Sequence, residues 1–228
     1  MKKAIAEIVC ICAGLGCAHL AGCQPEYRPQ ITGEVKIIVP ARAPAAKIRM
    51  AEDIAKTARD LGVPQEWIPL KDKEHSWFAI IIHHSATDVG NTAYFNKAHS
   101  ERLDDFGGRW LGVGYDFVIG NGTLSGDGEV ETTFRWKEQI AGAHCKTGDN
   151  WANTYGIGIV LVGDFDKCQP SAKQMDSLVK LVSFLQKRYD IPASDIYGHG
   201  STPGAHATDC PGKYFPMRQL GQRLETAE

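Results

Sequence analysis

The chain has 228 residues, 43% of them hydrophobic and 23% charged, which suits one globular domain with a leader or tail, or at most two small domains. Its formal net charge of −2 carries no basic excess to support nucleic-acid binding.

The first residues differ from the rest. Lys2 and Lys3 precede an uncharged, mostly apolar run from Ile8 to Ala18, too short to span a bilayer but suited to the apolar core of a signal peptide. Glu7 and His19 are unusual in such a segment. The run closes in Leu20-Ala21-Gly22-Cys23, which resembles the bacterial lipobox, where a signal peptidase cuts before a cysteine that carries lipid. Residues 1–22 are therefore expected to be a lipoprotein-type signal peptide and Cys23 the lipidation site. The plainer alternatives are an uncleaved anchor and an ordinary secretory signal. A lipoprotein of this kind would be exported to the bacterial cell envelope and held to a membrane by its N-terminal lipid. Residues 23–45, polar and punctuated by Pro25, Pro29, Pro40 and Pro44, read as a tether, with VKIIV as a candidate edge strand.

Three of the seven cysteines, Cys10, Cys12 and Cys17, fall in the leader, and Cys145, Cys168 and Cys210 remain for the folded body. In an oxidising compartment, a Cys145–Cys168 disulfide and two unbridged thiols both satisfy that count.

Residues 46–69 are expected to form a helical N-terminal extension. Ile48, Ala51, Ile54, Ala55, Ala58 and Leu61 recur at helical spacing, and Gly62 and Pro64 stop the helix. From Trp77 the pattern changes to WFAIII, a continuous apolar run rich in β-branched residues that predicts a buried central strand. NTAYFNKAHSERL predicts a helix capped by Asn91. GYDFVIG predicts a second strand followed by a turn at NGT, EVETTFR a third strand, and GIGIVLVG a fourth, buried on both faces. Ser171 and Gln174 form a capping box that opens a helix with Met175, Leu178, Val179, Val182 and Leu185 on one face. DIYGH predicts a short last strand, and residues 216–224 a closing helix. The fold class is α/β: a single domain over residues 70–228 with a central mixed β-sheet flanked by helices.

Catalytic zinc usually takes three protein ligands and keeps a fourth position open. The first strand ends in His83-His84, the last ends in His199, and Cys210 lies in the loop after it. The glycines and prolines between His199 and Cys210 let the chain turn back, so two histidines and a thiolate from separate segments could face one ion. Taken singly, each of these residues is more commonly a hydrogen-bonded histidine or a small buried thiol.

IIIHHSAT, GVGYDFVIGNGT, AGAHC, GIGIVLVGDF and YGHG…TDCPG, in this order, resemble the type-2 N-acetylmuramoyl-L-alanine amidases, the family of the phage-lysozyme amidase and the peptidoglycan recognition proteins. The resemblance covers about residues 77–215. It implies a zinc site at the end of a substrate groove, with His83, His199 and Cys210 as ligands of Zn2+. It implies catalytic roles for Tyr115 of GYDF and for Thr208, two residues before the cysteine. His144 and Asn153 match positions that line the groove. His84 occupies the variable place beside His83, where strand alternation points it to the other face, and it is kept with His206 as a candidate substrate contact. The expected activity is hydrolysis of the amide between N-acetylmuramic acid and L-alanine, with peptidoglycan or muropeptides as partner and a monomer as the working unit. The alternative is a recognition protein of the same fold that binds peptidoglycan without cutting it. Two features depart from the family: GHGS replaces the common GHRD, and the loop to the cysteine is longer and carries its own histidine, His206, a rival to His199 as ligand. No carboxylate base is obvious; Glu138, upstream of AGAHC, could serve, its plainer reading being a solvated charge in a turn.

Overall fold

The computed structural model describes residues 45–70, 72–104 and 107–226; the leader, Cys23, the tether and VKIIV lie outside the described residues. Strand β1 (Ala79–His84) is apolar through Ile80, Ile81 and Ile82 because it is central. It pairs in parallel with β4 (Gly156–Leu161) on one side and β5 (Ile196–Gly198) on the other. A strand covered on both faces has no polar side to display. Strand β2 (Phe117–Ile119) runs parallel to β4, and β3 (Val130–Thr132) is antiparallel to β2, giving the mixed order β3-β2-β4-β1-β5.

Alternation along these strands divides the core. Ile80, Ile82, Phe117, Ile119, Ile157, Ile159 and Leu161 pack against Leu178, Leu181, Val182 and Leu185 of α5 (Ala172–Tyr189) and against Leu220 and Leu224 of α6 (Met217–Glu225). Each such side chain, fully buried, contributes about 1.5–3 kcal/mol. The opposite face carries Ala79, Ile81, Val118 and Val160, covered by Phe95 of α2 (Thr92–Ser100) and Ala152 of α4 (Trp151–Tyr155).

The expected caps form. Asn91 accepts the Tyr94 N–H at 2.8 Å, and Ser171 and Gln174 complete the capping box of α5. Gln174 does more: its buried side-chain amide donates to the carbonyls of Ile119 and Val162, pinning the helix to the ends of β2 and β4. Helix α1 (Ala45–Leu61) ends at Gly62 (φ +64°), and Ala58, Trp67 and Ile68 belong to the main core. The third strand is shorter than expected. Thr133 accepts the Arg135 N–H at 3.1 Å and caps a short helix, α3 (Phe134–Glu138), which removes Phe134 and Arg135 from the strand. Cys145 and Cys168 do not form a disulfide; Cys145 is buried with Ala79, Ile81 and Ala152, whereas Cys168 is exposed.

Candidate metal centre and groove

The parallel strands all end on the same side of the sheet, so β1 and β5 deliver side chains to one place. His83 follows Ile81 on the α4-covered face of β1, and His199 directly follows β5. The chain then loops out and returns at Cys210. The loop is closed at its neck by the Gly200 N–H, which donates to the Cys210 carbonyl at 2.7 Å. Any Cβ at position 200 would lie 2.2 Å from the Thr208 carbonyl oxygen, so the neck requires glycine. One ligand atom each from His83, His199 and Cys210 all lie within 4.8 Å of one another. His83 Nδ1 is 3.6 Å from Cys210 Sγ, and the rings of His83 and His199 are 4.7 Å apart between centroids.

The donor set fits a borderline-soft divalent cation. Burial, reinforced by His144 and His199, holds His83 well below the usual imidazole range, and burial also lowers His199. Both rings are thus neutral at pH 7 and offer lone pairs. Burial pushes the Cys210 thiol up to about 12, against the His84 N–H that favours its thiolate. Two neutral imidazoles and a thiol, converging from three segments, match the nitrogen and sulfur ligands that zinc takes, and coordination deprotonates such a thiol.

Tyr115, just before β2, places its ring 5.2 Å from that of His83. Burial first, and then the neighbouring Cys210, raise its hydroxyl above the usual phenol range, so it remains an O–H donor. Thr208 accepts the Cys210 N–H at 3.2 Å through its hydroxyl oxygen, which leaves the hydroxyl proton to donate outward. A groove of about 640 Å³ opens beside the cluster, with Trp110, His144, Lys146, Asn153, His199 and His206 among its lining residues. Both His199 and His206 line the groove, but it is His199 that lies in the cluster with His83 and Cys210. His84, expected as a candidate substrate contact, is not among the groove residues. Its ring lies toward Phe165, whose N–H donates to His84 Nδ1 at 3.1 Å, as alternation along β1 requires. Glu138 closes α3 in an exposed ion pair with Lys73 and is not among the groove residues.

Three supporting residues escaped the sequence reading. Arg135, buried, donates through Nε to the Val113 carbonyl at 2.6 Å and through Nη1 to the Ala141 carbonyl, tying the Tyr115 segment to the His144 segment. Gly114 completes that tie: its carbonyl accepts the Ala143 N–H at 2.9 Å. His99 Nδ1 accepts the Gly114 N–H at 3.1 Å, and burial lowers this ring to about 4. Asp116 accepts the Gly158 N–H at 2.8 Å through Oδ2, while its buried Oδ1 has no partner. Each holds a backbone group distant in sequence, and no spacing motif signals such a bond.

Residues 74–213 match the family described as N-acetylmuramoyl-L-alanine amidase. Peptidoglycan-recognition protein 2 of Holotrichia diomphalia is 29% identical over 141 residues, 58% of this chain and 66% of that protein. Peptidoglycan-recognition protein LB of Drosophila melanogaster is 33% identical over 104 residues, 45% of this chain and 39% of that protein. The chain thus spans less than two thirds of either relative. The solved structure of N-acetylmuramoyl-L-alanine amidase LysC from Clostridium intestinale URNW superposes with a TM-score of 0.52 at 25% identity, covering 66% of this chain and 86% of that one.

Proposed function

Given that the chain belongs to the N-acetylmuramoyl-L-alanine amidase family, we propose that it is a zinc-dependent hydrolase that cleaves the amide between N-acetylmuramic acid and the L-alanine of the stem peptide. The observation that carries this reading is the convergence of His83, His199 and Cys210 at the head of a groove, with Tyr115 beside them. Zinc held by these three residues would acidify a water and polarise the carbonyl under attack. The remaining work falls to side chains. The Tyr115 phenol, kept protonated by burial, donates a hydrogen bond where negative charge develops on the carbonyl oxygen. The Thr208 hydroxyl does the same from the cysteine side. A donor aimed at such an oxyanion is worth roughly 3–4 kcal/mol. Lys146 and His206 present polar groups along the groove to the muropeptide, and Trp110 an apolar wall; Asn153 is a wall residue whose amide oxygen is taken by the His144 and Cys145 N–H groups.

Recognition without cleavage is the competing reading, favoured by the names of the two curated relatives. The complete donor set and Tyr115 favour the enzyme. The purified chain is expected to hold one zinc and to release free L-alanine amino termini from muropeptides, with loss on chelation and recovery on adding zinc. Tight muropeptide binding with no new amino termini would establish the recognition protein instead.

We further propose that the chain is an exported lipoprotein anchored at Cys23, with residues 24–45 as the tether. A mature terminus at any residue other than a lipid-modified Cys23, read by mass spectrometry, would refute the anchor.

A further inference from the structure

The ring of His144 is held at both nitrogens. Nε2 lies 3.2 Å from the Gly156 carbonyl oxygen, and Nδ1 lies 3.1 Å from His83 Nε2. A carbonyl oxygen can only accept, so Nε2 of His144 carries a proton and donates it. A neutral imidazole has one N–H, so Nδ1 of His144 is bare and accepts. The proton between the two rings then belongs to His83 Nε2. That leaves His83 with one bare nitrogen, Nδ1, the atom facing Cys210 Sγ. The first residue of β4 thus dictates, through one intervening ring, which nitrogen of His83 turns its lone pair toward the cation site.

We propose that His144 is a positioning residue that fixes His83 in the Nε2–H tautomer, so that Nδ1 is the metal-binding atom. This assigns His144 a role beyond lining the groove, and it rests on His83 being a ligand.

The surroundings of His144 are built to hold the ring still. A Cβ added at Gly142 or at Gly158 would lie 2.4 Å from its Cδ2, so two glycines make the slot in which the ring sits. Its backbone N–H donates to Asn153 Oδ1 at 2.8 Å, and the Cys145 N–H donates to the same oxygen at 2.8 Å. Asn153 is itself oriented, because its Nδ2 donates to Asn150 Oδ1 at 2.7 Å. A histidine that only met substrate would need neither the slot nor the carbonyl at its far nitrogen. Second partners of this kind orient a ligand ring and raise its basicity, and losing one typically weakens metal binding about 10–100-fold.

The test is on the purified protein, with zinc affinity measured by competition against a chromophoric chelator and the His83 tautomer by ¹⁵N NMR on metal-free protein. His144→Ala is expected to weaken zinc binding about 10–100-fold and to leave His83 in a mixture of tautomers. His144→Gln is expected to recover most of the affinity, since its amide oxygen can accept from His83 Nε2–H while its NH₂ donates to the Gly156 carbonyl. Unchanged affinity and tautomer in His144→Ala would overturn the proposal, as would a glutamine variant no better than alanine. If the alanine variant fails to fold, the parent protein decides: His83 found with its proton on Nδ1 refutes the relay. A parent that binds no zinc would refute the metal-ligand part of this proposal together with the hydrolase reading. The tautomer of its metal-free form would still show whether His144 fixes His83.

Discussion

Replacing Gly158 by alanine probes how tightly the His144 slot is made. The added Cβ would lie 2.4 Å from His144 Cδ2 and 2.7 Å from Cγ and Nε2, inside any tolerable contact. The strand cannot yield easily, because Gly158 is bonded at both backbone groups: its N–H donates to Asp116 Oδ2 and its carbonyl accepts the Asp116 N–H, each at 2.8 Å. Nor can the ring retreat, since the Gly142 backbone closes the slot and the Gly156 carbonyl and His83 hold its nitrogens. Overpacking of this kind costs about 1–3 kcal/mol. At roughly 2–4 °C per kcal/mol for a domain of this size, the melting temperature should fall by about 2–12 °C. Displacement of the ring should also weaken zinc binding in the manner of His144→Ala. Thermal unfolding by circular dichroism, with and without chelator, measures the first effect and chelator competition the second. Gly148→Ala is the control: no atom lies within 4 Å of its Cβ position, and it should change neither. A Gly158→Ala protein with the parent's melting temperature and zinc affinity would refute the slot.

His199→Ala should lose most bound zinc, whereas His206→Ala should keep it and lose muropeptide affinity; metal analysis distinguishes them, and exchanged phenotypes would reverse the assignment made in the loop. Tyr115→Phe and Thr208→Ala should each retain zinc and fold while kcat falls on the order of 10²-fold, as expected for lost oxyanion donors, measured on a soluble muropeptide. Asp116 supplies a pH signature. Burial raises it from 3.8 to about 7, so between these values the folded state holds a proton that the unfolded state has released. Stability therefore falls as pH rises from about 4 to about 7, by up to a few kcal/mol, and levels off above. Asp116→Asn should remove this slope, so that the variant gains on the parent between pH 4 and pH 8 in denaturant titrations; parallel pH profiles would contradict it.

The long apolar runs made the sheet legible, because a strand buried on both faces has no other composition available: IIIHH and GIGIVL are β1 and β4. Caps were legible for a similar reason, since Asn91 and Ser171 satisfy N–H groups only three residues away. EVETTFR misled because its β-branched residues favour a strand up to Thr132, while the Thr133 hydroxyl one residue later serves the start of a helix. At the site, motif order singled out His83, His199 and Cys210, which lie together, whereas His84, kept as a candidate substrate contact, faces Phe165 instead. Asp116, Arg135 and His99 stayed hidden because their partners are the backbone groups of Gly158, Val113, Ala141 and Gly114. Any residue type offers a backbone carbonyl, and any but proline an N–H, so no side-chain pattern betrays such bonds.

The closed neck between Gly200 and Cys210 has a consequence for how this protein could diversify. Segments that hold a metal and segments that shape a binding surface usually constrain each other, since lengthening the loop drags its ends. Here the ends are fastened to each other, and Ser201 and Thr202 are bonded back to Gly198, so residues 203–207 form a bay whose outline can change while the moorings stay put. The bay reaches the opposite bank: Ala205 bridges to Thr147, and the Pro203 carbonyl accepts Trp151 Nε1–H at 3.1 Å. Because closing a longer loop costs only a few tenths of a kcal/mol for each added residue or two, grafting other sequences into this one stretch should retune which stem peptides or glycans are admitted, with the ion-holding frame inherited intact.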